Sequence, residues 1–276
     1  AFWILLRPRR KYFVYWHAFL SFPRDPFRSL VAQLYEKTAY VILRYSNSRL
    51  ITTSPPLKRL LNTLIPCTPV HIVSPTLSRI SCHYIDRLRS SEFYSLKSSD
   101  YFRITFIGRL SSYKRPEYII ESMVDLPDNV ILDVIGDGPR AKYLINLVNS
   151  LGLRHRVFFH GCLPEESKFR ILAKSHLLCL PSLSSNEAFG IVQIEAMALG
   201  VPSIPTSINN SGVEWVSGAI NHLPFNSICK SNLGLVINYF LSQPHKLSEL
   251  SEFSYSRFCS NFTREKWRAS LGFLLQ

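Results

Sequence analysis

The sequence predicts an α/β protein in which helices cover two units of parallel β-sheet. Short apolar strand patterns alternate with helical patterns from residue 12 onward, which is typical of parallel sheets. Glycines directly follow several of these strands, at the end where such sheets bind their ligands. A Ser- and Arg-rich stretch at 78–100 separates a short first series of elements from a longer second one.

Length and composition allow one large or two ordinary domains. Of the 276 residues, 46% are apolar and 18% charged, so the chain can bury a core and is not disordered. We predict a first domain at 1–80, a linker at 81–100, a complete second domain at 101–255 and a closing helix at 256–276. The first domain is thin, so either residues precede Ala1 or this domain is unusually small.

The first series is predicted from two kinds of pattern. Strands are expected at Tyr12–Tyr15, Arg49–Thr53 and Val70–Val73, and helices at Ser29–Tyr45 and Leu57–Leu64. The stretch at 78–100 is weakly periodic and is interpreted as a connector, with a surface loop containing one helix as the alternative.

The second series alternates strand and helix five or six times, which predicts a doubly wound α/β domain. The predicted strands are Phe102–Ile107, Asn129–Ile135, Val157–Phe159, Leu177–Leu180, Val201–Ile204 and a last short one at Asn221–Leu223. The predicted helices are Pro116–Met123, Arg140–Leu151, Glu165–Lys174, Ile191–Leu199, Gly212–Val216 and two or three pieces within Lys230–Gln276.

The formal net charge of +13 suits anionic partners: phosphates, acidic lipid surfaces or nucleic acid. Solubility alone is the alternative explanation. No helix-turn-helix, zinc-finger or ribonucleoprotein motif supports nucleic acid as the partner. No apolar run approaches the length of a membrane span, and Phe2–Leu6 is too short for a signal-peptide core. We therefore expect a cytoplasmic protein, with peripheral attachment to an anionic membrane surface as a further option.

The six cysteines are scattered without a C-x-x-C pair, and several sit in apolar runs. They are expected to be buried free thiols in a reducing compartment, with no metal site. They are Cys67, Cys82, Cys162, Cys179, Cys229 and Cys259.

The predicted strand ends carry the residue types that bind a diphosphate. Gly108 and Gly136 follow two strands and let a ligand approach the backbone closely. Arg109 and Lys114 place two cations on one loop, and the helix after Gly190 begins with free backbone N–H groups. This set suits a diphosphate without a metal ion, although two loop cations taken alone are more often simply solvated.

Two carboxylates flank the start of that helix. Glu187 lies before it and Glu195 lies within it, with seven residues between them. Carboxylates can accept hydrogen bonds from a ribose diol and from another polyol, which is what a sugar nucleotide requires. The alternative for Glu195 is a solvated position on an exposed helix face.

Together these stretches resemble a known family. Tyr101–Gly212 resembles the donor-binding domain of GT-B-fold retaining glycosyltransferases of glycosyltransferase family 4 (group 1). The resemblance rests on FIGRLSSYKRPEYIIESM, LDVIGDGP, VFFHGCLP and the E-x7-E motif of NEAFGIVQIEAMALGVPSI. It implies two Rossmann-like domains facing a cleft, with the closing helix crossing back to the first. Ser74-Pro75-Thr76-Leu77 departs from the family's usual glycine, so the acceptor side is the least defined part.

The resemblance also implies roles for individual residues. Arg109 and Lys114 match the pair on the donor diphosphate, Glu187 matches the group near the sugar hydroxyls, and Glu195 matches the ribose acceptor. His17 matches a histidine near the donor sugar, although a lone histidine after a strand is more often structural. The implied catalytic set is His17, Arg109, Lys114 and Glu187. The implied donor-binding set is Gly108, Arg109, Lys114, Gly136, Gly161, Cys162, Leu163, Glu187, Ala188, Phe189, Gly190, Ile191 and Glu195.

By resemblance, the expected activity is transfer of a sugar, with retention, from a UDP- or GDP-linked donor to a hydroxyl of a glycan, lipid-linked or protein acceptor. No metal or other cofactor is expected. Front-face attack would make Glu187 a sugar-positioning group rather than an assured nucleophile. A non-catalytic binding module of the same fold and a sugar-nucleotide epimerase of related fold are the alternatives.

Overall fold

A computed structural model of the chain describes residues 12–18, 25–90 and 100–272. The strands are β1 (Tyr12–Trp16), β2 (Ser48–Thr52), β3 (Val70–Ile72), β4 (Phe102–Ile107), β5 (Val130–Ile135), β6 (Val157–Gly161), β7 (Leu177–Leu180) and β8 (Ser203–Pro205). The helices are α1 (Pro26–Arg44), α2 (Pro55–Leu64), α3 (Arg79–Arg89), α4 (Glu117–Ser122), α5 (Ala141–Ser150), α6 (Glu165–Ala173), α7 (Ile191–Ala198), α8 (Val213–Ser217), α9 (Leu233–Ser242), α10 (Pro244–Asn261) and α11 (Arg264–Ser270). The predictions made for Phe2–Leu6 and for residues 91–99 and 273–276 lie outside the described residues.

The first series forms a small parallel sheet in the order β1-β2-β3. Val14 pairs with Leu50, and Leu50 pairs with Val70 on its other side. Leu43 from α1 and Leu57 from α2 pack with Leu50 in one apolar cluster. The predicted strands and helices of this series are confirmed. In α1, however, only part of the apolar pattern is buried: Ala39, Ile42 and Leu43 lie in the interior, whereas Leu30, Leu34 and Val41 are exposed.

The second series forms a five-stranded parallel sheet in the order β6-β5-β4-β7-β8. The chain winds from β4 outward to β6 and then returns to β7, on the other side of β4. The strand order therefore reverses between β4 and β7. In sheets of this kind, ligands bind outside the carboxyl ends of the strands at that switch point.

The second sheet is buried on both faces. Ile104 and Leu132 lie in a core cluster with residues of α4, α5 and α9. Ile107, Ile135 and Leu178 lie in a second cluster with residues of α3, α6 and α7. This explains why the strands are almost wholly apolar, as is typical of parallel sheets covered on both sides.

Two features of the linker and the closing segment are informative. Ile85 and Leu88 of α3 belong to the core of the second sheet, so this part of the predicted connector is a packed helix. Three helices, α9 to α11, form the closing segment as far as residue 272. At the end of α10, the backbone oxygen of Phe262 accepts a hydrogen bond of 2.7 Å from Thr76, which lies just after the first sheet. The domain boundaries themselves stay predictions.

The last strand predicted for the second series is wrong. The expected strand at Asn221–Leu223 is part of a 3₁₀ turn at Ala219–His222, entered through Gly218 in the left-handed region. The sheet ends at β8 on that side, and no further strand pairs with β8 among the residues described.

The cysteines are free, as expected, but most of them are not buried. Cys179 on β7 is buried and Cys82 on α3 is half-buried. The exposed ones lie on loops or at helix ends, where the apolar runs around them no longer face the core. They are Cys67, Cys162, Cys229 and Cys259.

One buried carboxylate ties three strands of the second sheet together. Asp133 on β5 pairs with Arg103 on β4, and its other oxygen lies 2.6 Å from His160 Nε2 on β6. The side chain of Asp133 is 2% exposed. Removing it would leave the guanidinium of Arg103 without its buried partner.

We expect Asp133→Ala to lower the free energy of unfolding by about 3–4 kcal/mol, the lower part of the range for a broken buried pair, because Arg103 keeps some contact with water. Urea denaturation measures this. Asp128→Ala is the control, since the Asp128 side chain is 93% exposed and should change stability by less than about 0.5 kcal/mol. Equal denaturation midpoints for the two variants would contradict a stabilising role of the Asp133 network.

Candidate active site

Glycines at the carboxyl ends of β4, β5 and β6 pack their backbones closely together. The amide of Gly108 donates to the Ile135 oxygen at 3.0 Å, and the amide of Gly136 donates to the Gly161 oxygen at 2.8 Å. Gly136 has φ of +129°, and a Cβ added there would lie 2.1 Å from the backbone oxygen of Gly108. At Gly161 a Cβ would meet nothing within 4 Å. The backbone is therefore tightly packed at Gly108 and Gly136, whereas there is free space beside Gly161 that could hold a planar group such as a base.

The loop after β4 carries both predicted cations. Lys114 turns inward, so that a Cβ built on Gly108 would lie 3.7 Å from Nζ. Its ammonium group is bonded to the carboxylate of Glu187. Arg109 is exposed on the same loop and makes no ion pair with the part of the chain that the structure describes. The structure thus joins Lys114 to Glu187 across the switch point, while Arg109 remains at the surface.

Glu187 is held at several points. Its side chain is 10% exposed, and Oε2 accepts from Ser182 at 3.3 Å as well as from Lys114. Its backbone oxygen accepts from the hydroxyl of Ser211, and its amide donates to the Ser184 oxygen at 2.9 Å. Ser182 was not predicted as a site residue, although it directly follows Pro181 at the end of β7. A carboxylate fixed in this way can orient hydroxyl groups of a bound polyol.

The helix after Glu187 begins as predicted. Gly190 has φ of +69°, and a Cβ added there would lie 2.7 Å from Leu180 Cδ2. The side chain of Gln193 donates to the Phe189 oxygen at 2.9 Å, which fixes the turn before the helix. Ala188 and Phe189 have buried side chains, so only their backbone faces the site. From Ile191 onward, the first helical amides have no acceptor within the helix and suit an anion.

Glu195 is buried, so the alternative of a solvated helix face is wrong. The residue is 7% exposed because α7 is covered on both sides by the core of the second sheet. Its Oε1 accepts from Lys168 Nζ at 2.9 Å, whereas Oε2 is buried with no partner among the described residues. Burial raises the pKa of this carboxyl, and Lys168 acts against that rise. The carboxylate therefore has one bonded oxygen and one unsatisfied oxygen.

Lys168 is a site residue that the sequence analysis missed. It lies on α6, four residues before the buried Leu172. Residues four apart share a face of a helix. The helical pattern of α6 therefore predicts that Lys168 lies on the same buried face as Leu172.

A cluster of two arginines around one buried glutamate, which the sequence motifs did not indicate, supports the loop that carries Lys114. Arg115 and Arg140 both donate to Oε1 of Glu117, at 3.1 and 3.0 Å, and Glu117 is 3% exposed. Arg115 has φ of +50°, a conformation that is uncommon for a side chain of this size. A glutamate in the first turn of a helix ordinarily indicates only a favourable helix end, which is why the pattern did not reveal this bridge. The bridge ties the loop after β4 to the loop after β5.

The first sheet meets this site near Glu187. The amide of Gly212 donates to the Ala188 oxygen at 2.8 Å, and a Cβ added to Gly212 would lie 2.4 Å from Ser54 Oγ. Ser54 follows β2, so the carboxyl end of the first sheet abuts the loop that carries Glu187.

The remaining predicted residues lie farther from the Lys114–Glu187 pair or make no contact with it among the described residues. His17 is exposed at the end of β1, and its ring stacks on Tyr15 with the ring centroids 6.1 Å apart. No contact between His17 and the Lys114–Glu187 pair is found in the described ranges. Cys162 is exposed directly after Gly161, and Leu163 packs partly against the core. These two frame the open space above Gly161.

Residues 12–18, 25–90 and 100–272 contain neither a cluster of metal-ligating side chains nor a helix that could cross a membrane. No group of three or more His, Cys, Asp or Glu side chains there is arranged to hold a metal ion. Within the same ranges, no helix combines enough length and apolarity to cross a membrane.

Two curated relatives align with the part of the chain that contains this site. An uncharacterised glycosyltransferase of Methanocaldococcus jannaschii is 36% identical over 107 residues, which are 38% of this chain and 27% of that protein. D-inositol 3-phosphate glycosyltransferase of Rhodococcus jostii is 29% identical over 175 residues, 59% of this chain and 37% of that protein. The matched stretches thus cover well under half of the relatives' own length.

Solved structures extend the likeness to almost the whole chain. Sucrose-phosphate synthase from Thermosynechococcus elongatus superposes with a TM-score of 0.76 at 18% identity, over 99% of this chain and 69% of that one. Anabaena HepE, solved in complex with UDP, superposes with a TM-score of 0.71 at 19% identity, over 97% and 72%. At such identities the likeness concerns the fold, and it confirms the GT-B architecture that the resemblance implied.

The match to a family profile covers the site itself. Residues 89–256 match the profile described as glycosyl transferases group 1. That range contains the glycine edge, the Lys114–Glu187 pair and Glu195, and it exceeds half of the 276 residues. The chain with this site therefore belongs to the glycosyl transferases group 1 family.

Proposed function

We propose that the protein transfers a sugar from a nucleoside-diphosphate sugar to a hydroxyl acceptor, with retention of configuration. The observation that carries this proposal is the buried Lys114–Glu187 pair at the switch point of the sheet. It puts a diphosphate-binding cation and a polyol-binding carboxylate side by side. That juxtaposition matches the point where the sugar and the diphosphate of such a donor are joined.

The parts of the donor have separate places. The diphosphate lies against Lys114, Arg109 and the amides at the start of α7. The sugar hydroxyls lie at Glu187. The ribose diol meets the free oxygen of Glu195, and the base occupies the open space by Gly161, Cys162 and Leu163. The closely packed edge at Gly108 and Gly136 lets the diphosphate approach the backbone.

Catalysis is electrostatic in this proposal. As the bond between the anomeric carbon and the phosphate oxygen breaks, negative charge grows on the diphosphate, and Lys114, Arg109 and the α7 amides stabilise it. The acceptor oxygen then bonds to the same face of the anomeric carbon and passes its proton to the departing phosphate oxygen. Glu187 positions the sugar and is not alkylated. The cations and amides supply this charge stabilisation without a metal ion.

UDP- or GDP-linked sugars are the proposed donors, and a glycan, lipid-linked or protein hydroxyl is the proposed acceptor. UDP-glucose is bound by Anabaena HepE in one of the similar structures, and UDP in another. The net charge of +13 is compatible with a phosphate-bearing donor and also with an anionic membrane surface near the acceptor. Attachment to such a surface stays a prediction.

A thermal-shift screen of UDP-, GDP- and ADP-sugars tests the proposed function. A donor present at 100 times its dissociation constant should add about 2.7 kcal/mol of stability and raise the unfolding temperature measurably. A sugar that does not carry a nucleotide is the matched control and should leave the temperature unchanged.

The reaction of the stabilising donor then separates the alternatives. Transfer requires nucleotide release that depends on acceptor, and product whose anomeric configuration, read by NMR, equals that of the donor. Donor consumption without any acceptor product would favour an epimerase. Binding with no turnover under any acceptor would favour a non-catalytic module, and no stabilisation by any nucleotide sugar would refute the proposal altogether.

A further inference from the structure

We propose that Lys168 is a positioning residue for ribose recognition, because it fixes the Glu195 carboxylate so that one oxygen is bonded and the other is free for the 2′- and 3′-hydroxyls. This inference rests on the proposed function and deepens it. It assigns a role to a helix, α6, that none of the motifs in the sequence marked.

The geometry of the pair supports the inference. Lys168 Nζ donates to Oε1 of Glu195 at 2.9 Å, and the two side chains are 14% and 10% exposed. The ammonium also lies 4.4 Å from the centroid of the Phe169 ring, which limits where it can move. Glu195 is thus held from the α6 side alone, and its second oxygen remains unpaired within the described residues.

An unsatisfied buried oxygen is costly unless a ligand satisfies it. A buried acceptor without a partner typically costs about 1–3 kcal/mol, and more when it is charged. Glu195 lies on the helix whose N-terminus faces the proposed diphosphate, so a ribose is the part of the donor placed to supply hydroxyl donors. A ribose hydroxyl that donates to this oxygen would offset that cost when the nucleotide binds.

Charge is the second part of the role. Burial favours the protonated form of Glu195, and a protonated carboxyl would lose much of its capacity to accept from a diol. Lys168 favours the ionised form, whereas the charge of Glu165, also on α6, opposes it. Glu165 itself accepts from Ser81 of α3 at 3.2 Å.

Other charged groups on neighbouring elements bond elsewhere. Arg89 of α3 donates to the Ala198 oxygen at 3.4 Å, and Glu214 of α8 accepts from Ser207. Neither contact involves Glu195. Lys168 and Glu165 therefore have opposite effects on one carboxylate, which gives two variants with opposite expected signs.

Binding of UDP measured by calorimetry over a pH series that extends below and above the raised pKa of Glu195 tests the inference, because the charge of this carboxyl changes across the series. In the unaltered protein, affinity should fall as the pH drops through the raised pKa of Glu195. Lys168→Met should raise that pKa further, so that affinity at a pH below the new pKa falls about ten- to a hundredfold and recovers as the pH rises. Glu165→Gln should move the acid limb to lower pH, and Lys168→Arg should restore the profile of the unaltered protein.

A purely structural Lys168 would behave differently. Its replacement would weaken binding by the same factor at every pH, and that result would overturn the inference. A comparison with 2′-deoxy-UDP adds a second readout: the preference for UDP should shrink at a pH below the new pKa in Lys168→Met and stay unchanged in Lys168→Arg. If the unaltered protein binds none of UDP, GDP and ADP, the proposed function has failed; if it binds but Lys168→Met keeps its pH profile, only this inference has failed.

Discussion

Replacing Lys114 by alanine is expected to lower kcat/KM for the donor by about a hundred- to a thousandfold, as for loss of a main electrostatic contact to the transition state. Lys114 is the inward-facing cation at the switch point, and in the proposed reaction its ammonium stabilises the charge that grows on the departing diphosphate. Steady-state kinetics with the donor identified by the thermal screen measure the loss. An unchanged transfer rate would refute the assignment of this site.

The same replacement also affects stability, and a double variant separates the two effects. Lys114→Ala leaves the largely buried carboxylate of Glu187 without its cation, which is destabilising. Adding Glu187→Gln removes the uncompensated charge. We expect the double variant to regain most of the unfolding temperature but none of the activity. Recovery of activity together with stability would show that Lys114 acts on the fold rather than on the donor.

Replacing Gly136 by alanine is expected to cost more than about 3 kcal/mol of stability, because left-handed strain and displaced backbone each cost about 1–3 kcal/mol. The new Cβ would collide with the backbone oxygen of Gly108, and a backbone atom cannot rotate aside as the end of a side chain can. Donor binding should fall as well, since Gly108 lies against Lys114. Urea denaturation and calorimetry measure the two effects.

Gly152 provides the matched control. It also has positive φ, +71°, but a Cβ added there meets nothing within 4 Å, and it lies at the far end of α5 from the site. Gly152→Ala should therefore show only the left-handed strain, about 1 kcal/mol or slightly more, with donor affinity unchanged. An equal loss of stability in Gly136→Ala and Gly152→Ala would contradict this prediction, because it would show that the contact between Gly136 and Gly108 adds no cost beyond the left-handed strain.

Most of the fold followed from the sequence because its signals are local. Apolar runs such as 102–107 and 130–135 become buried strands wherever helices cover both faces of the sheet. Glycines with positive φ mark the strand ends, and Gly190 marks the helix start. The strand expected at Asn221–Leu223 was wrong because three residues are too few to show an alternating apolar pattern. The conformation of so short a segment depends on its contacts with the neighbouring sheet.

The motifs marked candidate site residues but not the contacts between them. The E-x7-E spacing identified Glu187 and Glu195, yet no local pattern shows that Lys114 bonds Glu187 or that Lys168 bonds Glu195. Both bonds join elements far apart in the chain, and their partners are fixed only by the strand order. Arg109 shows the opposite case, since its motif is intact while its side chain remains in solvent.

The Lys114–Glu187 pair has a consequence for selectivity. Lys114 is already paired with Glu187 in the structure. A ligand that binds either side chain must therefore replace this contact, because neither charge lacks a partner. A simple anion would release Lys114 and leave Glu187 unpaired, and a free sugar would engage Glu187 without replacing its counter-ion. A molecule that joins hydroxyls to a diphosphate, as the proposed donor does, would satisfy both at once, and the pair would then discriminate against each half of that donor on its own.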